Sequence, residues 1–212
     1  MDQLNINRDS NYVGSSTQEK GITNTQSHFA FNNYGTTHSY KHNFAKPSKN
    51  ITADANYNWS TNSNNSTFST QYFNLDNTPK TPLYQQMITG GGTTKYFTAQ
   101  TDYTDPINDK IKLEAGLRAA VRNYSSHNEN YFYNSAVSKY QTIPGLDSKY
   151  EFQDQVYAAY TTFSQKLINF TYQLGGRVES SLYTGKLIDS NQTFKNSYPL
   201  SFFPSVFLTQ KL

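Results

Sequence analysis

Six charged residues that fall between apolar residues are the first candidates for a functional site in this sequence. They are Asp102, Lys112, Glu114, Arg118, Arg177 and Glu179. Paired carboxylates could act as acid and base, but that chemistry requires a cleft that shifts their pKa values, and nothing in the sequence localises one. Two interpretations stay open. The side chains line an aqueous interior that binds a passing solute or a docked domain, or they form a cross-strand charge ladder that keeps such an interior hydrated.

Other residue types that carry chemistry lack the context which that chemistry needs. His38 and His42 have a spacing suited to a metal site on a helix, but on a strand they lie about 13 Å apart, too far to share one ion. The glycine-rich TGGGTT at 89–94 lacks the Lys-Ser/Thr of a phosphate loop, which favours a flexible loop. The chain has no cysteine and no Gly-x-Ser-x-Gly serine. We therefore predict no enzyme, catalytic residue, cofactor or metal site.

Strands must position the six charged residues, because apolar residues recur at every second position around them. In residues 111–121 the odd positions are apolar, and the charged residues stand at even positions. A helix with this sequence would scatter its charges around the axis, whereas a strand separates them onto one face. The same alternation is present in 51–60, 97–103 and 168–179, and each run is close to the ~9–11 residues with which a tilted strand crosses a bilayer.

The composition favours one class of sheet protein. Only 35% of the 212 residues are hydrophobic, yet there are 18 Tyr and 14 Phe, which a disordered chain would lack. Tyrosine-rich alternating strands are typical of outer-membrane barrels, where half of each strand meets lipid. The net charge of +3 is too small to indicate a nucleic-acid partner. Five aromatic residues are predicted at the lipid interface: Tyr57, Trp59, Tyr103, Tyr160 and Tyr172.

Short and long connections alternate along the chain, as periplasmic turns and extracellular loops do in outer-membrane barrels. Short turns are predicted at 46–50, 106–110 and 164–168. Long polar loops are predicted at 61–95, 125–148 and 184–200. Less regular strands at 28–46, 149–164 and 201–212 bring the predicted number to about seven.

Hairpin parity predicts which residues share a face of the sheet. A turn over 108–110 lets Ile107 face Ile111, so the apolar positions of 97–103 pair with those of 111–121. The hairpin that precedes Ile168 then requires the even positions of the preceding strand, Val156, Ala158 and Tyr160, to face lipid.

Several segments resemble the outer-membrane β-barrel family of TonB-dependent receptors. They are TDYTDPINDKIKLEAGLRAAVRNYSS, VYAAYTTF, FTYQLGGRVESS and NSYPLSFFPSVFL, within residues 27–212. The most specific matches are Asp102-Tyr103 with Pro106, the Gly-x-Arg at 116–118 and the Phe-Pro-Ser at 203–205. The resemblance implies an outer-membrane location in a Gram-negative bacterium, nutrient transport, a plug domain inside a barrel of about 22 strands, and energy from an inner-membrane complex.

The predicted fold is thus an all-β, antiparallel, up-and-down transmembrane barrel segment that belongs to a larger barrel. The expected organisation is a polar extracellular loop-like segment at 1–26 and a partial barrel at 27–212. No plug and no signal peptide are recognisable, so we expect a fragment whose plug and remaining strands lie outside it. Two alternatives stay open: a passive porin-like barrel, and a soluble β-sandwich that binds glycans or acts as an adhesin. The sandwich would bury Leu113, Leu117, Phe170 and Leu174 in a dry core.

Overall fold

The computed structural model describes residues 2–13 and 16–210, apart from the side chains of residues 9–19. Residues 1, 14, 15, 211 and 212, which fall in the predicted segments 1–26 and 201–212, lie outside the described part. Nine strands form in the described residues: β1 (Asp2–Val13), β2 (Ser16–Asn43), β3 (Asn50–Phe73), β4 (Tyr84–Asn108), β5 (Ile111–Asn134), β6 (Lys139–Thr142), β7 (Ser148–Lys166), β8 (Phe170–Leu187) and β9 (Gln192–Gln210). These residues contain no helix long and apolar enough to cross a membrane.

All nine strands belong to one antiparallel sheet, in which each long strand pairs with the next long strand of the chain. The order is β1-β2-β3-β4-β5-β7-β8-β9, and the short β6 pairs with β5 beyond the stretch that β7 occupies. The predicted all-β, up-and-down antiparallel architecture is confirmed. The described residues hold nine strands rather than about seven, because β1 forms within the predicted loop-like segment 1–26 and β6 forms within a predicted loop. The extracellular position of 1–26 and the domain boundary at residue 27 stay predictions.

The strands continue far beyond the runs that alternate clearly. β3 has 24 residues, about 80 Å at 3.3 Å per residue. The predicted loops 61–95, 125–148 and 184–200 are therefore wrong in extent: β3 and β4 are joined by residues 74–83, and β8 and β9 by residues 188–191. Backbone hydrogen bonds extend the ladder without regard to side-chain type, so alternation lapses where both faces are polar while the strand goes on.

The TGGGTT segment lies inside β4 and is not a flexible loop. Gly90 and Gly91 are buried. A Cβ on Gly90 would lie 2.7 Å from Asn64 Oδ1, and a Cβ on Gly91 would lie 2.8 Å from the carbonyl oxygen of Asn62. The glycines therefore allow β3 and its asparagine side chains to approach β4 closely.

The sheet has an apolar face and a polar face. Two neighbouring rows of residues, paired from strand to strand at the same distance from the short turns, illustrate the difference. The row on the apolar face is Tyr40, Ala53, Thr101, Leu117, Ala159, Val178 and Phe202. The row beside it, on the polar face, is Lys41, Thr52, Asp102, Gly116, Tyr160, Arg177 and Phe203. Period-two alternation in each strand and the registers between strands together produce this separation.

The apolar side chains form a band and do not cover the whole length of their face. A second row on the same face crosses β5 at Ser125, eight residues beyond Leu117 and farther from the short turns. It consists of Asn32, Thr61, Thr93, Ser125, Glu151, Lys186 and Thr193. This row is polar throughout. The sheet is therefore amphipathic near its short turns, and the face that carries the apolar band becomes polar towards the long hairpins.

No second sheet covers the apolar face in the described residues, because all nine strands lie in one sheet. Leu117 is 59% exposed and Leu174 is 46% exposed. The alternative β-sandwich, which would bury these leucines, is wrong for this structure.

The β4–β5 hairpin has the predicted register. Phe97 pairs with Val121 and Tyr103 with Ala115, as hairpin parity required. The turn itself is tighter than predicted, since Asn108 pairs with Ile111 and leaves Ile107 as an unpaired bulge residue. The Asn108 side chain closes the turn by accepting hydrogen bonds from the backbone N–H groups of Lys110 and Ile111, both at 2.9 Å.

The predicted lipid-facing set Val156, Ala158 and Tyr160 is wrong. Lys166 pairs with Thr171, so an even position of β7 meets an odd position of β8. This register places the three residues on the polar face and places the odd positions of β7 on the apolar face. The reason is the length of the turn after Lys166, because one residue more or less inverts every side chain of a strand.

A cluster of ionic contacts holds the short-turn end of β3 and β4 together. Asp105, which follows the apolar run 97–103, lies 3.0 Å from Lys46 Nζ and 2.9 Å from Lys49 Nζ. The hydroxyl of Tyr103 donates a hydrogen bond of 3.0 Å to the same carboxylate. The pKa of the Asp105 carboxyl is lowered from 3.8 to about 2. The hydrogen bond from Lys49 is the largest cause, and the hydrogen bond from Lys46 is the next.

We expect this cluster to make stability depend on pH in the acid range. Because folding lowers the pKa of Asp105, its contribution is complete above the unfolded value, about pH 4, and is lost as pH falls towards about 2. Asp105→Asn should therefore be less stable at neutral pH and should lose less stability on acidification than the parent protein. The measurement is the midpoint of denaturant unfolding in detergent between about pH 7 and about pH 2. Asp109→Asn in the adjacent turn is the control, and an unchanged acid response of Asp105→Asn would refute the assignment.

Candidate functional site

The six charged residues singled out from the sequence all lie on the polar face. Asp102 belongs to β4, Lys112, Glu114 and Arg118 belong to β5, and Arg177 and Glu179 belong to β8. The registers of β4, β5, β7 and β8 align the even positions of the first three strands with the odd positions of β8. One surface therefore carries all six, although 77 positions separate the first from the last.

Asp102 is held by Tyr160, which reaches it across an intervening strand. The Tyr160 hydroxyl donates a hydrogen bond to Asp102 Oδ1, and Gln100 Nε2 donates to Asp102 Oδ2 at 2.9 Å and to the Tyr160 hydroxyl at 3.1 Å. Gly116 of β5 stands between the two strands and pairs with both residues. A Cβ on Gly116 would lie 2.3 Å from Tyr160 Cζ. The missing side chain of Gly116 thus provides the space in which the Tyr160 ring crosses β5.

Most of the other charges form ion pairs along a single strand. Arg177 donates from Nε and Nη2 to Glu179 Oε2, at 3.0 and 2.7 Å, and Ser181 Oγ donates to Glu179 Oε1 at 3.0 Å. Lys112 Nζ lies 3.0 Å from Glu114 Oε2. Arg118 is exposed and makes no salt bridge with any residue that the structure describes. These ion pairs run along single strands, whereas the ladder envisaged from the sequence would cross from strand to strand, so the pairs do not form that ladder.

The polar face also carries an aromatic cluster that sequence reasoning did not identify. Tyr124 pairs with Phe152 across β5 and β7, and the Tyr150 ring lies nearly parallel to the Phe152 ring, at 16° with 6.3 Å between centroids. Arg122 lies over Phe152 at 5.7 Å and contacts Asp154 at 2.5 Å. The signal in the sequence is a pair of aromatic residues, Tyr150 and Phe152, two positions apart, which places both side chains on the same face of a strand. It was missed because both residues fall in the less regular predicted strand 149–164, whose even positions are predicted to face lipid.

Two cavities lie beside this aromatic cluster, and two residues line both of them. The smaller has a volume of about 300 Å³ and is lined by Thr94, Arg122, Tyr124, Tyr150 and Phe152. The larger has a volume of about 780 Å³ and also includes Thr94 and Arg122, with Asn58, Tyr96, Arg118, Asp154 and Tyr183 among its other lining residues. Because Thr94 and Arg122 border both, the cavities form one groove.

The remaining candidates from the sequence lie apart from this groove. His38 and His42 are on β2, where His38 pairs with Ala55 and His42 with Ile51. The His42 ring contacts Phe44 edge-on at 4.7 Å. The described residues contain no group of three or more potential metal ligands. Of the five predicted interface aromatics, Tyr57, Trp59, Tyr103 and Tyr172 lie on the apolar face and Tyr160 does not.

Comparison with known proteins identifies one family, and two of the solved structures that are similar to this chain illustrate the likeness. The model of an outer membrane protein beta-barrel family matches residues 42–212. The crystal structure of the ferric citrate transporter FecA in the unliganded form has a TM-score of 0.46 and 12% identity over 100% of this chain and 36% of that chain. The ferric yersiniabactin uptake receptor FyuA from Yersinia pestis has a TM-score of 0.29 and 10% identity over 98% and 38%. The chain thus spans less than two fifths of either structure, and no curated protein matches it.

Proposed function

The chain belongs to the outer membrane protein beta-barrel family, and on this premise we propose that it forms part of the barrel wall of a receptor that takes up a nutrient. The apolar band faces lipid, the polar face lines the passage, and the short turns lie on the periplasmic side. The host is a Gram-negative bacterium. The proposed role is structural and selective, with no enzymatic step.

One observation carries this proposal: two neighbouring rows of paired residues, at the same distance from the short turns, have opposite polarity on the two faces. The row through Leu117 is apolar except for Thr101, and the row through Gly116 carries Lys41, Asp102 and Arg177. A wall between lipid and water requires this alternation, and a soluble sheet with an uncovered apolar band would expose a large hydrophobic patch to water. The band also ends on its own face, where the row through Ser125 is polar, which agrees with strands that extend beyond the bilayer.

The proposal assigns partners to each part of the sheet. The apolar band contacts the acyl chains of the outer membrane. Asp102, Lys112, Glu114, Arg118, Arg177 and Glu179 line the lumen, where a plug domain docks and the nutrient passes. Further strands complete the barrel. They pair with the outer edge of β9 and with residues 29–43 of β2, which β1 does not reach. An inner-membrane complex supplies energy through the plug, and this feature separates a receptor from a passive pore.

Trp59 provides the test of orientation, because it is the single tryptophan of the chain and lies on the apolar face, 42% exposed. In vesicles we expect acyl-brominated lipid to quench its fluorescence strongly, while iodide in water quenches it weakly. The matched variant carries Trp59→Phe together with Tyr96→Trp, which moves the indole to the polar face. Its fluorescence should respond to iodide and hardly to brominated lipid. Equal quenching of both proteins by brominated lipid would refute the orientation.

A further inference from the structure

We propose that a basic cavity on the lipid side of the sheet binds the phosphate groups of an anionic lipid in the outer leaflet, an inference that rests on the proposed orientation. The cavity has a volume of about 560 Å³. Most of its lining belongs to two consecutive rows on the face of the apolar band, which cross β5 at Asn123 and Ser125. Lys95 and Lys186 line it, together with Thr93, Gln153 and Thr184.

The cavity lies at the height where the apolar band meets the outer headgroups. The apolar side chains of β5 on this face run from Ile111 to Val121, a distance of ten residues. Ten residues span about 33 Å along a strand. A tilt of about 40° reduces this length to about 25 Å, the height of the apolar band of an outer-membrane barrel. The row through Asn123 therefore stands at the outer edge of the band.

Two aromatic side chains mark the same height. Trp59 pairs with Lys95, and Tyr34 pairs with Trp59, so the three residues stand in one row. The centroids of the Tyr34 and Trp59 rings lie 5.9 Å apart. Tryptophan and tyrosine are enriched at the level of lipid headgroups, because their rings are apolar and their tips are polar. Lys95 thus stands beside two residues typical of a membrane interface.

The charges of the basic cavity favour an anionic ligand. Lys95 is exposed and Lys186 is half-buried. Lys195, which pairs with Thr184 in the same row as Lys95, adds a third positive charge beside the cavity. None of these lysines forms a salt bridge with any residue that the structure describes. Glu151 is the acidic residue of the lining, so three lysines and one glutamate give this region a net charge of +2.

An anionic lipid satisfies both parts of this surface at once. Its acyl chains lie against the apolar band, and its phosphates lie at the height of the lysines. A soluble phosphate would contact the lysines and gain nothing from the band. Lys95 on β4 and Lys186 on β8 are three inter-strand spacings apart, about 14 Å. A headgroup with two phosphates can therefore contact both lysines.

The test is native mass spectrometry of the purified chain in an uncharged detergent, which counts the lipid molecules bound to each protein. The probe is diphosphoryl lipid A, and the reference is the same lipid after removal of both phosphates. We expect the phosphorylated form to bind more tightly by about tenfold or more. An excess of inorganic phosphate should leave its binding unchanged, because the acyl chains contribute to affinity.

Variants of the basic cavity test the assignment residue by residue. Lys95→Gln and Lys186→Gln should each weaken the binding of diphosphoryl lipid A by about fivefold, the effect of one lysine near an anionic membrane surface. Lys186→Arg keeps the charge and should bind as the parent chain does. Glu151→Gln should strengthen binding, because it removes a negative charge near the phosphates. Lys139→Gln is the matched control, since Lys139 is exposed on β6 and does not line the cavity.

Three results would overturn the inference: equal binding of the two forms of the lipid, displacement of the lipid by inorganic phosphate, or a loss in Lys139→Gln as large as in the cavity variants. Circular dichroism establishes that the sheet has formed in each variant. The Trp59 experiment separates the two proposals. Quenching by brominated lipid without a preference for phosphate contradicts only the headgroup assignment, whereas absence of that quenching contradicts the orientation on which the assignment rests.

Discussion

Leu117→Arg is expected to destabilise the protein in lipid vesicles by about 2–4 kcal/mol, the cost of an arginine near the bilayer midplane on the lipid face of a barrel. Leu117 stands in the middle of the apolar row, between Thr101 and Ala159, and is 59% exposed. Its neighbour Arg118 carries the same charged group on the opposite face. The chain thus tolerates an arginine one position away, and only the direction of the side chain differs.

The measurement is the free energy of unfolding in vesicles, obtained by denaturant titration. Thr98→Arg is the matched control, because Thr98 lies on the polar face of β4, where it pairs with Ala120. Its cost should stay below about 1 kcal/mol, as for a hydrated surface substitution. If both variants lost the same free energy, the apolar face would not be the lipid face, and the barrel-wall proposal would fail.

Gly116→Ala should destabilise the sheet by about 1–3 kcal/mol, a large effect for a single methyl group. The new Cβ would lie 2.3 Å from Tyr160 Cζ and 2.4 Å from its hydroxyl oxygen, so the ring has to leave its position over β5. Tyr160 would then lose its hydrogen bond to Asp102, and the carboxylate would keep only Gln100 from this network. The loss belongs to the polar network, because alanine itself fits a strand at least as well as glycine.

A double-mutant cycle distinguishes this mechanism from a general intolerance of strand glycines to substitution. In a Tyr160→Ala background the ring is absent, so Gly116→Ala should cost nothing further. Gly176→Ala is the control in the parent protein, since a Cβ there would meet Phe202 only at 3.4 Å, an ordinary contact distance. A cost for Gly116→Ala that persists without the Tyr160 ring would show that crowding at Tyr160 is not its cause.

Asp105→Asn concerns the short-turn end of β3 and β4, a region that these two substitutions leave untouched. Agreement at this end and at the centre of the sheet would support one continuous wall, with lipid on one side and solute on the other.

The amino-acid sequence by itself determined the faces of the sheet wherever alternation was strong. The odd apolar positions of 51–59, 97–103 and 111–121 lie on one face, as predicted, because a period of two leaves only one way to group them. All six charged candidates lie together on the other face for the same reason. β7 was ambiguous, since Tyr157-Ala158-Ala159-Tyr160 offers small and aromatic residues at both parities, and the turn after Lys166 decided between them.

Only the tertiary structure decided how far the strands run and which distant side chains meet. The strands continue through stretches without alternation because their ladders depend on backbone groups, which every residue except proline supplies in full. The contact between Asp102 and Tyr160 joins residues 58 positions apart and exists because Gly116 stands between them. The groove likewise requires β4, β5 and β7 in register. Local pattern determines which face a residue occupies, and its neighbours on that face depend on cross-strand register, which the turns and bulges set.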